Sequence, residues 1–158
     1  MSDTMEWKAI KVTIGKEDMV RAALEEEGIE VCAPVVIQKE RTRGAWKEVR
    51  RPLLAGYLLI HVIWSAELYY KLRDMWFVQY PLAGCVEPEE VEYLKLYEEL
   101  SCDSLIDYTG AQIRYAGAIA KAPERICKVD KRKERALVRF KLGENDTTKR
   151  WVPVKIIR

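Results

Sequence analysis

The longest apolar block in the chain is Glu48–Val62, which reads Glu-Val-Arg-Arg-Pro-Leu-Leu-Ala-Gly-Tyr-Leu-Leu-Ile-His-Val and passes from basic to almost wholly apolar. A run this rich in Leu, Ile and Val suits a strand covered on both faces. Pro52 removes an amide donor and Gly56 weakens a helix interior, so the pattern predicts a bend at Pro52–Gly56 followed by a core strand. Ahead of it, Trp7–Thr13 places apolar residues at 7, 9, 10 and 12, a short strand. Gly15 then opens a helix with Glu17 and Asp18 in its first turn, where carboxylates suit the positive end of the helix dipole. Met19, Val20, Ala23 and Leu24 give that helix one apolar stripe, and Gly28 ends it. Glu30–Ile37 reads as a second strand. Polar Gln38–Lys47 reads as the far end of a long hairpin that returns through the central stretch.

Beyond the central strand, Ser65 caps a second helix, with Leu68, Leu72 and Met75/Trp76 on its inner face. Phe77–Val86, broken by Pro81 and Gly84, predicts a loop and an edge strand. Pro88 fits the first turn of a third helix that points Val91, Leu94 and Tyr97 inward. This order predicts an antiparallel sheet with helices packed on it, an α/β sandwich. The helical pattern stops between Cys102 and Gly110, which places a linker at 102–109 between a first domain, 1–101, and a second, 110–158. The second half holds short strand patterns at Ala111–Ala116, Arg125–Asp130, Ala136–Leu142, Arg150–Val154 and Lys155–Ile157. Val138, Phe140 and Leu142 alternate with Arg139 and Lys141, the period-two signature of a half-buried strand. A segment this short needs its sheet closed to build a core, so a small β-barrel is expected and the overall class is α+β.

Charge sharpens that division. The net charge of +2 hides 14 Lys/Arg against 5 Asp/Glu from Gly110 onward, and 8 carboxylates against Lys95 alone in Glu87–Asp107. A basic second half behind an acidic connector marks two functional units. With 49% hydrophobic and 33% charged residues the chain reads as globular rather than disordered. No apolar run approaches the roughly 20 residues that span a bilayer. The acidic opening, Met1-Ser-Asp-Thr-Met-Glu, lacks the basic-then-apolar order of a signal peptide, so a cytoplasmic location without membrane contact is expected. Cys32, Cys85, Cys102 and Cys127 form no Cys-x-x-Cys pair and His61 lies inside a strand, so no metal and no cofactor are expected. Gly15-Lys16 lacks the glycine-rich loop and the following Ser/Thr of a phosphate-binding motif. Paired catalytic carboxylates and Cys/His pairs are missing too, and an enzyme is not expected.

Basic residues, two large apolar residues, a small residue, then Gly-Tyr and a hydrophobic strand resemble the NusG family of transcription elongation factors. The family's Phe-Pro-Gly-Tyr is here Leu54-Ala55-Gly56-Tyr57. The opening is similar as well, with Lys8 where the family has Tyr after Trp7. Gly110…Ile113-Arg-Tyr…Gly117 and Ile126-Cys-Lys-Val-Asp130 resemble the family's KOW domain, an SH3-like barrel, although Lys121 and Glu124 stand at its glycine positions. The resemblance implies that the first domain binds RNA polymerase on the clamp helices of its largest subunit and favours processive elongation or antitermination. By motif match, the polymerase-binding patch would comprise Trp7, Leu53, Leu54, Gly56 and Tyr57.

A KOW-like half this basic favours RNA over an acidic protein groove, because displacing counterions from phosphates rewards Lys/Arg density. The expected nucleic-acid contacts are Lys128, Lys131, Arg132, Lys133 and Arg135, helped by Lys39, Arg41 and Arg43 on the hairpin, with Trp46 a stacking surface. Together these imply a monomeric, LoaP-like specialised paralogue that reads RNA, a leader hairpin for instance. The alternative is a KOW-domain RNA-binding protein that couples to the ribosome or translation, which would need no clamp-binding patch.

Overall fold

The computed structural model describes residues 4–100 and 104–158, except the side chains of residues 98–100. Cys102 and the boundary placed at 101/102 lie outside the described residues. The chain forms two compact units, one of Met1–Ala33, Leu54–Val91 and Lys141–Thr148, the other of Pro34–Leu53, Glu92–Phe140 and Lys149–Arg158.

In the first unit, β1 (Glu6–Val12) is followed by α1 (Glu17–Glu26) and β2 (Glu30–Cys32). The second unit takes up the hairpin of β3 (Val35–Thr42) and β4 (Ala45–Pro52), and the chain returns to the first for β5 (Tyr57–Val62), α2 (Ala66–Arg73) and β6 (Val78–Pro81). The four strands of the first unit form an antiparallel sheet in the order β2-β5-β1-β6. The single strand expected over Glu30–Ile37 is thus cut in two at Ala33–Pro34, because a proline cannot continue a ladder, whereas the bend expected at Pro52–Gly56 falls between β4 and β5. The edge strand falls where Phe77–Val86 predicts it.

One face of the sheet builds the core. Ile10, Val12, Leu58, Ile60 and Val62 pack with Val20 and Leu24 of α1 and Leu72 of α2. The α1 stripe differs from expectation in one position: Met19 is 57% exposed, and the inward positions are Glu17, Val20 and Leu24. Their spacing of three and four follows the helix turn, and Met19 lies off that line. Gly28 closes α1 as predicted, its amide donating to the Glu25 carbonyl at 3.0 Å and that of Ile29 to Leu24 at 3.1 Å, the Schellman pattern. Ser65 caps α2, its hydroxyl accepting the Leu68 amide at 3.1 Å. Trp76 does not line the inner face; α2 ends at Arg73, so Trp76 lies past the helical register and is 84% exposed, while Met75 packs against the core.

α3 (Pro88–Leu100) begins at the proline that predicts it, with Val91, Leu94 and Tyr97 buried. After it come β7 (Leu105–Asp107), β8 (Arg114–Ala116), β9 (Ile126–Asp130), β10 (Arg135–Lys141), β11 (Thr147–Pro153) and β12 (Lys155–Ile157). The segment read as a linker therefore holds a strand. Three residues are too few to show a period, and β7 exists because β12 pairs with it in parallel and Ile106 is fully buried. Among the described residues, these strands form two three-stranded sheets, β11-β10-β9 and β12-β7-β8, and no closed barrel. In β10 the predicted alternation holds: Val138 and Phe140 are buried, Arg139 and Lys141 exposed. Lys121 and Glu124 sit in two short 3-10 turns, Ala118–Lys121 and Pro123–Arg125, whose backbone needs no left-handed angle at either residue. That local geometry removes the need for glycine there.

Candidate functional site

The bend before β5 is a four-residue turn, Leu54-Ala55-Gly56-Tyr57, closed by the Tyr57 amide on the Leu54 carbonyl at 2.9 Å. Gly56 has φ +88°, the angle that a type II turn requires at its third residue. Ala55 in place of proline leaves the turn closed. The Gly56 carbonyl accepts the Val12 amide at 2.9 Å, and its amide donates to Glu17 Oε2 at 3.1 Å. Glu17 Oε1 accepts the Gly15 amide at 2.6 Å. One buried carboxylate thus ties the start of α1 to the turn that sets Tyr57. Glu17 thus does more than face the helix dipole, and its place three residues before Val20 on the inward line of α1 is the local signal for it.

The sheet face opposite the α1/α2 core carries Trp7, Ala9 and Lys11 on β1 against His61, Leu59 and Tyr57 on β5. Ala9 and Leu59 are fully buried, while Trp7, Tyr57 and His61 remain half-buried at the two ends of the row. Trp7 stacks on His61 with ring centroids 4.6 Å apart and planes 13° from parallel. Glu30 holds His61 Nδ1 at 3.2 Å, and Lys11 Nζ sits 4.4 Å from the Tyr57 ring centroid. Leu53 and Leu54 are each 2% exposed, so they support the bend from inside and present no surface. At the end of β1, the Cys85 thiol donates to Glu6 at 2.8 Å, and that carboxylate together with burial raises the thiol's pKa. Among the described residues no group of three or more His, Cys, Asp or Glu could hold a metal ion.

The expected basic contacts divide. In the hairpin, Lys39 and Arg41 share a face with Trp46, which pairs with Arg41 across the ladder and is 68% exposed. Arg43 lies at the tip. Arg51 is held by Glu40 through two hydrogen bonds of 2.8 and 2.9 Å, which lower the pKa of that carboxyl. In the β9–β10 turn Lys131 lies over the Tyr108 ring at 4.2 Å and Arg135 over the Trp151 ring at 4.1 Å. The second unit brings Lys39, Arg132, Lys133 and Arg135 to one groove, whereas Arg41, Arg43, Lys128 and Lys131 do not line it. Trp151 and Lys155 line it as well, and no local pattern in the chain singles out either.

Asp130 shapes that turn by accepting the Lys133 amide at 3.0 Å, which holds its carboxyl below the usual range. The folded value lies below the unfolded one, so this stabilisation is present at neutral pH and is lost as pH falls through the lowered folded value. Asp130→Asn should flatten the acid side of the stability curve in urea melts between about pH 5 and pH 2. An unchanged acid slope would show that the carboxylate does not hold the turn.

No curated protein matches the chain. Residues 5–92 match the family model described as NusG, transcription termination factor nusG. The match begins just ahead of Trp7, takes in the Glu17–Gly56 tie and the whole four-stranded sheet, and ends in α3. Covering more than half of the chain, it makes this protein a member of the NusG family, transcription factors that bind RNA polymerase.

Proposed function

We propose that the chain engages the clamp helices of RNA polymerase's largest subunit through the half-buried row at Trp7 and Tyr57, as a cytoplasmic monomer that promotes processive elongation and antitermination. The observation that carries this reading is the family match over residues 5–92 around a Tyr57 held in place by the Gly56 turn. A half-buried aromatic on a rigid strand suits an interface anchor, because it loses little conformational entropy on binding and excludes water at the centre of a contact. Leu53 and Leu54 serve that surface by shaping the bend. Residues 110–158, most of which belong to the second unit, serve as the KOW-type part of the chain, and their excess of lysine and arginine suits RNA, as in the LoaP branch.

Tyr57→Ala should weaken binding to a purified polymerase clamp fragment about tenfold, with the melting temperature of the chain lowered only slightly. In vitro transcription through a terminator provides the functional test. Readthrough that requires the native leader supports RNA-guided antitermination. A chain that ignores polymerase in both assays overturns the reading.

A further inference from the structure

The groove of the second unit has a volume of about 1240 Å3 and is walled by the β3–β4 hairpin, the β9–β10 turn and strands β11 and β12. That exceeds the roughly 300–1,000 Å3 of pockets that enclose one small molecule, and suits a chain of several units. Its lining is lopsided in charge. Lys39, Lys47, Lys155, Arg132, Lys133 and Arg135 face it against two carboxylates, Glu48 and Glu134.

Two indoles share the lining, Trp46 from the hairpin and Trp151 from β11. Trp46 is 68% exposed, so its indole is open to contact at the groove. Trp151 is half-buried, and the Arg135 guanidinium, 4.1 Å from its ring, holds one face of it flat. Two donors at the groove are also without a hydrogen-bond partner among the described residues. The Ser104 hydroxyl is on a residue only 3% exposed, and Arg135 Nε is buried, its nearest carboxylate oxygen on Asp130 lying at 3.6 Å.

We infer that this groove takes an unpaired polynucleotide strand, with bases stacking on Trp46 and Trp151 and phosphates facing the lysines and arginines. Cations alone would accept a duplex equally well. Exposed indole faces reward only bases whose own faces are free, and a paired strand keeps those inside its stack. Unpaired RNA and unpaired DNA share this chemistry. The inference rests on the proposed handling of nucleic acid and adds the strandedness and the residues that read it.

The test is fluorescence anisotropy of the full chain with a labelled strand of about 12 nucleotides as RNA, the same strand as DNA, and a hairpin duplex RNA. The single strands should bind more tightly than the duplex, and Trp46→Ala should weaken them about tenfold without changing the salt dependence. Lys39→Gln and Lys155→Gln should each reduce the slope of log affinity against log salt by about 0.7. Trp151→Phe, which retains a ring under Arg135, should keep most of the affinity. A tighter RNA arm identifies the transcript as the ligand, and a tighter DNA arm identifies an exposed DNA strand; each supports the groove. Duplex binding as tight as that of either single strand overturns it, and so does a Trp46→Ala affinity within twofold of the native chain. Polymerase binding by the native chain, measured in parallel, separates the two readings: Trp46-dependent strand binding without polymerase affinity sinks only the polymerase reading.

Discussion

Glu17→Ala should destabilise the protein by about 3 kcal/mol, read as a lower urea midpoint. Hydrogen bonds to a charged group contribute roughly 1.5–3 kcal/mol each, and this carboxylate accepts two, from Gly15 and from Gly56. Its removal leaves the Gly56 amide without an acceptor in a buried turn. It also takes away a negative charge from the first turn of α1, worth roughly 0.3–1 kcal/mol. Against these stands the desolvation that the 7% exposed carboxylate no longer suffers, which keeps the net near the middle of the range. Glu17→Gln retains one acceptor oxygen and should lose about half as much. Because the turn positions Tyr57, Glu17→Ala should also weaken polymerase binding under conditions where the chain is still folded. A loss below about 0.5 kcal/mol would show that the turn holds itself.

Phe140→Ala should cost still more, about 3–5 kcal/mol, through a cavity in the second unit. Phe140 is fully buried, and its ring lies 5.8 Å from that of Tyr93 and 5.6 Å from that of Tyr97. The two tyrosines are 5.2 Å apart, edge to face, with their hydroxyls hydrogen-bonded at 2.6 Å, and Arg125 covers Tyr93 at 4.6 Å. Such an interlocked cluster collapses poorly into the space left by one ring, so most of the cavity term remains. Phe140→Leu refills much of the volume and should lose markedly less. Equilibrium unfolding with near-ultraviolet circular dichroism reads both effects, since the aromatic signal reports this packing. A loss under about 1.5 kcal/mol for the alanine variant would mean that the cluster rearranges around the gap.

Two kinds of information account for what could be read in advance. Capping at Ser65, the Gly28 stop, the Gly56 bend and the alternation in β10 depend on residues within a few positions of each other, and the sequence displays them directly. Met19 and Trp76 misled because an apolar residue beside a stripe resembles one on it. Only the turn of α1 about its axis and the end of α2 at Arg73 separate the two cases.

The sequence by itself determined the order of the helices and longer strands, the place of the bend and the basic character of the second half, since periodicity, turn chemistry and charge are local properties. Tertiary structure alone decided that Glu17 would secure Gly56 across 39 positions, that Leu53 and Leu54 would face inward, and that Trp46 and Trp151 would share one groove. It also decided that β7 would exist at all, through a parallel pairing with β12. Those outcomes depend on which distant groups satisfy each other's hydrogen bonds and exclude water together, and no window along the chain contains both partners.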